Sequence, residues 1–208
     1  MRLLRLGIMG GTFDPIHYGH LVAAEMARTE FALDKVLFIP NGVSPHKMRR
    51  EITDAQTRYR MVEMAIRDNP EFTISRIEIE RTGPSYAVDT LKELRQLYPH
   101  HALYFITGMD ALQEIFDWHK AKEILELTEF IAATRPGYES RDFLLKIASE
   151  YPQFLPKIHL LEVPALAISS TDIRQRVARG QSIRYLLPKE AYTYILTAKL
   201  YLPQADCE

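Results

Sequence analysis

Short apolar runs alternate with helix-patterned segments along the whole chain, and this alternation limits the fold more than any other feature. Leu3 to Met9 reads as a first strand, mostly apolar as a strand covered on both faces should be. A turn over Gly10 to Pro15 feeds a helical pattern from His17 to Phe31. Val36 to Ile39 is a second strand that stops at Pro40-Asn41-Gly42. Residues 43–53 form a polar, basic loop, and Asp54 can cap a helix running to about Asp68. Phe72 to Glu80 alternates and predicts a kinked strand, and Ser85 to Tyr98 a helix stopped by Pro99. Ala102 to Thr107 is a strand, followed by a helical stretch to Leu127 that breaks near Trp118-His119. Glu129 to Thr134 and Ile158 to Val163 are the last strands, flanking a helix over 140–151. Ser170 to Arg179, ended by Gly180, and residues 188–200 close the chain as helices. Strand-helix alternation of this kind predicts an α/β fold: a doubly wound, Rossmann-like, mostly parallel sheet with helices on both faces.

At 208 residues the chain is expected to form a single domain, 1–208, with a small helical C-terminal part at about 168–208. A formal net charge of −1 argues against a long nucleic-acid partner, whose backbone calls for a basic excess. The one cysteine, Cys207, permits no internal disulfide and fits a reducing, cytoplasmic setting. The first nine residues, MRLLRLGIM, are too short for a signal peptide. No apolar run reaches the roughly 18 residues of a membrane span. A monomer and a homo-oligomer both stay open.

In a doubly wound sheet, ligands bind beyond the carboxyl ends of the strands. The first strand ends in Gly10-Gly11-Thr12-Phe13-Asp14-Pro15-Ile16-His17-Tyr18-Gly19-His20. The two glycines permit a tight turn and close backbone approach, and the helix start behind them offers free N–H groups to a phosphate. His17 and His20, three apart, share one face of the first helical turn, with Gly19 leaving that face open. The glycine spacing does not fit G-x-G-x-x-G, and a Walker A lysine and an H-E-x-x-H zinc motif are both missing. Two histidines that merely cap and pack a helix are the alternative.

Ile168-Ser169-Ser170-Thr171-Asp172-Ile173-Arg174 forms a second candidate segment. By itself it reads as a helix start with Ser169 or Ser170 as N-cap. Arg174 lies one turn in, where a guanidinium can grip phosphate oxygens.

GTFDPIHYGH resembles the signature of the HxGH nucleotidyltransferases, and ISSTDIR is similar to that family's second hallmark. The resemblance spans residues 6 to about 200. Within the family, the chain looks most like the bacterial nicotinate mononucleotide adenylyltransferases. Other acceptors known in the family, phosphopantetheine or nicotinamide mononucleotide, and a non-catalytic nucleotide sensor are the competing readings.

The resemblance implies roles for particular residues. Gly10, Gly11, Thr12, Phe13, His17, His20, Ser169, Ser170, Thr171 and Arg174 would bind ATP, with His17, His20 and Arg174 acting on the reacting phosphates. Lys47, in the Pro45-His46-Lys47 loop, would meet an acceptor phosphate, though a solvated basic loop explains it too. Ser85 and Tyr86 would line the nicotinate pocket, Ser85 being equally suited to an ordinary N-cap. Gly108 and Asp110 would lie near the ribose, with Met109 where the family usually has alanine. Trp118 would stack on the pyridine ring, unless this only tryptophan is a core residue. Arg135, beyond the fifth strand, completes the acceptor set. The implied substrates are ATP and nicotinate mononucleotide, with Mg2+ carried by the triphosphate and no metal held by the protein itself.

Overall fold

The structure is a computed structural model that describes residues 3–43, 52–137, 140–164 and 167–203. Six strands, all parallel, form one sheet: β1 (Leu4–Gly11), β2 (Lys35–Pro40), β3 (Phe72–Ile74), β4 (His101–Gly108), β5 (Glu129–Thr134) and β6 (Ile158–Glu162). Their order is β3-β2-β1-β4-β5-β6. The chain therefore winds outward twice from the centre, and β1 and β4, neighbours in the sheet, have successors that leave in opposite directions. A crevice opens at that reversal, beyond the carboxyl ends of the two strands.

The period of two along each strand divides the core. Met9, Val36, Phe38, Tyr104, Ile106, Ile131 and Leu161 face one side. There they meet α1 (Tyr18–Glu30), α2 (Ala55–Ile66), α7 (Ser170–Ala178) and α8 (Lys189–Thr197). Leu6, Ile8, Leu37, Ile39, Leu103, Phe105, Phe130 and Ala132 face the other. That side is covered by α3 (Ala87–Leu97), α4 (Met109–Gln113), α5 (Ala121–Leu127) and α6 (Arg141–Glu150). Both faces being covered explains why the strands read as continuous apolar runs.

Helix signals match the structure closely. Asp54 accepts the Thr57 N–H and caps α2. Ser169 accepts the Asp172 N–H and caps α7, and Gly180, at φ +68°, ends that helix in the left-handed region. The stretch from Gly108 breaks as expected: α4 stops at Gln113, a 3-10 turn covers Ile115–Asp117, and α5 begins after Trp118 to Lys120.

Three expectations need correction. The strand expected over Phe72 to Glu80 stops at Ile74. The Ser75 N–H still reaches Phe38 O at 2.9 Å, but the Ser75 hydroxyl then accepts the Ile77 N–H and the chain turns away from the sheet. The Ile74, Ile77 and Ile79 spacing thus belongs to a strand end plus a bend. Ser85 is not an N-cap. Tyr86 holds that position at the start of α3, and the Ser85 hydroxyl instead accepts the Gly42 N–H at 3.1 Å. The helix opening at His17 also begins one residue later, with His17 in extended backbone at the cap position.

Candidate active site

Two adjoining cavities occupy the crevice, and both are lined by Gly10 and Thr107, at the ends of β1 and β4. The larger, about 460 Å3, is lined by His17, Gly19 and His20 on one side and by Gly108, Asp110, Thr134, Arg135 and Ile168 around the rest. The second, about 320 Å3, is lined by Gly11, Asn41, Glu78, Ser85, Tyr86, Glu114, Trp118 and His119.

The histidine pair is built by the helix start. The rings stack with centroids 3.8 Å apart. The His17 N–H donates to His20 Nδ1 at 3.3 Å, so in neutral His20 the proton sits on Nε2. Phe13, buried and in the left-handed region at φ 49°, sets its ring edge against His20 at 5.1 Å. Burial pulls the His17 imidazole down from the ordinary 6.5 to about 4, which leaves it neutral at pH 7. His17 Nδ1 is buried without a protein hydrogen-bond partner. The glycine between the histidines has a steric reason: a Cβ on Gly19 would lie 3.0 Å from His17 ring atoms.

The second motif docks on the first. The Ser170 hydroxyl donates to Pro15 O at 2.8 Å, across 155 residues of sequence. The Arg174 guanidinium donates to Asp14 O and, at 3.1 Å, to Thr171 Oγ1. It also lies 3.9 Å from the buried Asp14 carboxylate, which accepts the Tyr201 hydroxyl at 2.8 Å. Burial and the Asp14 charge push the Tyr201 hydroxyl far up, so it remains a donor.

The acceptor-side residues divide between the cavities. Ser85, Tyr86 and Trp118 line the second cavity together. Gly108, Asp110 and Arg135 line the first, beside the histidines. Trp118 has two surroundings: its edge meets Phe105 at 6.0 Å and it packs on the second core cluster, yet it is only partly buried and walls the cavity. Thr12, Phe13, Ser169, Ser170, Thr171 and Arg174 are not among the residues lining either cavity. Lys47 lies outside the described residues.

Several residues escaped the sequence reading. Glu78 is buried in the wall of the second cavity; burial pushes its carboxyl up, while hydrogen bonds from Thr90 and Ser85 and the Arg81 charge pull it back. The Thr90 hydroxyl reaches it at 2.7 Å. Asn41 joins the two walls, its N–H on Gly11 O at 2.9 Å. His119 packs on Tyr86 with ring centroids 4.6 Å apart. None of these has a sequence signature beyond being polar near a strand or helix end.

Comparison with known proteins fits this geometry. The cytidylyltransferase-like family model matches residues 8–176. A protein of Desulfitobacterium hafniense strain Y51, named "probable nicotinate-nucleotide adenylyltransferase", is 59% identical over 95% of this chain and 95% of its own. One of the same name from Moorella thermoacetica is 54% identical over 97% and 94%. Among solved structures, the Plasmodium falciparum nicotinic acid mononucleotide adenylyltransferase complexed with NaAD superposes with a TM-score of 0.77. At 21% identity, over 95% of this chain and 97% of that one, it speaks for the fold. A signature at the crevice, a second motif docked on it, and near-full-length relatives of one name converge: the chain belongs to the nicotinate-nucleotide adenylyltransferases of the cytidylyltransferase-like family.

Proposed function

We propose that the protein transfers the adenylyl group of ATP to the phosphate of nicotinate mononucleotide, giving nicotinate adenine dinucleotide and pyrophosphate, as a step in NAD biosynthesis. The observation that carries this is the pair of cavities meeting at Gly10, one walled by the two histidines and the other by Ser85, Tyr86 and Trp118. In this reading the triphosphate enters the histidine cavity, and the pyridine ring lies against Trp118. The acceptor phosphate meets the α-phosphorus between them.

The acceptor oxygen is an anion at neutral pH, so attack needs no strong general base. A bond forms from that oxygen to the α-phosphorus as the bond to the β-phosphate bridging oxygen breaks, and pyrophosphate leaves with the electron pair. Catalysis then consists of alignment and stabilisation of charge moving onto the leaving group. Backbone N–H groups of residues 10–13 and His17 would hold the α- and acceptor phosphates. His20 would donate from Nε2 toward the leaving phosphates. Arg174 would exchange the Asp14 carbonyl for them, together with the N-terminus of α7 and its Ser169, Ser170 and Thr171. Asp110 and Arg135 would bound the ribose and phosphates at the cavity mouth. Mg2+ enters as part of the ATP substrate, keeping most of its waters.

The protein is further read as one nucleotidyltransferase domain working in the cytoplasm; no helix among the described residues is long and apolar enough to cross a membrane. Pyrophosphate release from ATP with three separate acceptors tests the assignment. Nicotinate mononucleotide should turn over fastest, ahead of nicotinamide mononucleotide, with phosphopantetheine inert. A preference for phosphopantetheine would overturn the acceptor. ATP binding without turnover on any acceptor would replace the enzyme by a nucleotide sensor.

A further inference from the structure

Arg58, on α2, is 1% exposed and among the largest fully buried side chains. A guanidinium has five N–H donors in a rigid plane, and here five oxygens receive them. Nε donates to Thr53 O at 2.8 Å. One terminal nitrogen donates to Thr12 O at 2.7 Å and Asn41 Oδ1 at 3.1 Å. The other donates to Asn41 O at 2.7 Å and Gly42 O at 3.1 Å. These acceptors are all neutral, so the arrangement reads as a template for backbone shape more than as an ion pair.

Both walls of the site hang on these acceptors. Thr12 belongs to the turn after β1, which the proposed function places at the phosphates. Gly42 donates to Ser85 Oγ at 3.1 Å, and Ser85 in turn hydrogen-bonds the Glu78 carboxyl in the second cavity. Gly42 has no room for a side chain, since a Cβ there would lie 2.4 Å from Glu78 O. A guanidinium thus stands between the phosphate turn and the acceptor wall and touches both.

We propose that Arg58 is a positioning residue for the transfer: it fixes the phosphate turn and the acceptor wall relative to one another, and so sets both substrate sites at once. This rests on the proposed assignment of ATP to the histidine cavity and the acceptor to the tryptophan cavity. A lysine has three donors at one point and cannot span these acceptors.

The test is steady-state kinetics of the full-length Arg58→Lys variant below its unfolding temperature, with circular dichroism as the check on folding. The kcat should fall by about tenfold or more, as misalignment of bound groups predicts, and both KM values, for ATP and for nicotinate mononucleotide, should rise as the two sites shift. Ser85→Ala should raise the acceptor KM and leave the ATP KM in place. A folded Arg58→Lys protein with kcat and both KM values unchanged would mean that Arg58 braces the fold and nothing more. Should Arg58→Lys not fold, Asn41→Ala, which removes the Oδ1 acceptor of Arg58 and the 3.4 Å hydrogen bond from Asn41 Nδ2 to Thr12 Oγ1, decides by the same ATP KM: a rise supports the proposal and an unchanged value overturns it. If the wild type makes no dinucleotide from this acceptor, the acceptor assignment is what fails. ATP affinity of wild type and variant by calorimetry then still decides for or against Arg58.

Discussion

His17 is held neutral by its surroundings, and that has a measurable consequence. Burial lowers its folded-state value to about 4, from 6.5 for an ordinary imidazole. Between these values the unfolded chain binds a proton that the folded one refuses. Stability is therefore flat above about pH 6.5 and falls as the pH drops toward 4, by on the order of 3 kcal/mol for this one group. Urea titrations at a series of pH values should show this slope in the wild type and a shallower one in His17→Gln. Equal slopes would mean that His17 is solvated in the folded state. The same neutrality suits a residue that meets phosphate by hydrogen bond. His17 and His20 were legible from their three-residue spacing behind a glycine turn. The reason for Gly19 was only partly so, because the close contact with the His17 ring depends on the extended cap backbone.

At the scale of elements, α7 and the turn after β1 form one unit though 155 residues separate them. Ser170 on Pro15 O and Arg174 on Asp14 O are the fastenings, and Tyr201 closes on Asp14 from the C-terminal side. Arg174→Ala should raise the ATP KM and slow turnover while the fold persists, since Ser169 still caps α7 and Ile173 and Val177 still bury its inner face. Calorimetry showing wild-type ATP affinity in that variant would reduce Arg174 to a fastening of the turn. Helix boundaries such as this one were readable because caps and glycines have local causes: Asp54, Ser169 and Gly180 act on backbone within a few residues. The end of β3 and the partner of Ser85 were not. Each is decided by where a remote segment lies, Phe38 O for one and the Gly42 N–H for the other. Arg58 was invisible for the same reason, its acceptors being backbone oxygens that converge only in the folded chain.

For the whole molecule, strand-helix alternation fixed the class of fold, and the reversal of strand order between β1 and β4 placed the crevice. What pattern alone left open was the division of labour there. The residues read together as acceptor contacts fall into two cavities, Trp118 in one and Asp110 and Arg135 in the other. In the proposed mechanism the two chambers hold the two substrates side by side and transfer is direct, with no adenylyl group parked on the protein. The most direct measurement follows a label in the α-phosphate of ATP through one turnover with excess enzyme. With nicotinate mononucleotide present, all transferred label should appear in the dinucleotide, one pyrophosphate released for each, and none in acid-precipitated protein. Without the acceptor, no pyrophosphate should form. Label on the protein, or pyrophosphate released before the acceptor is added, would contradict the account.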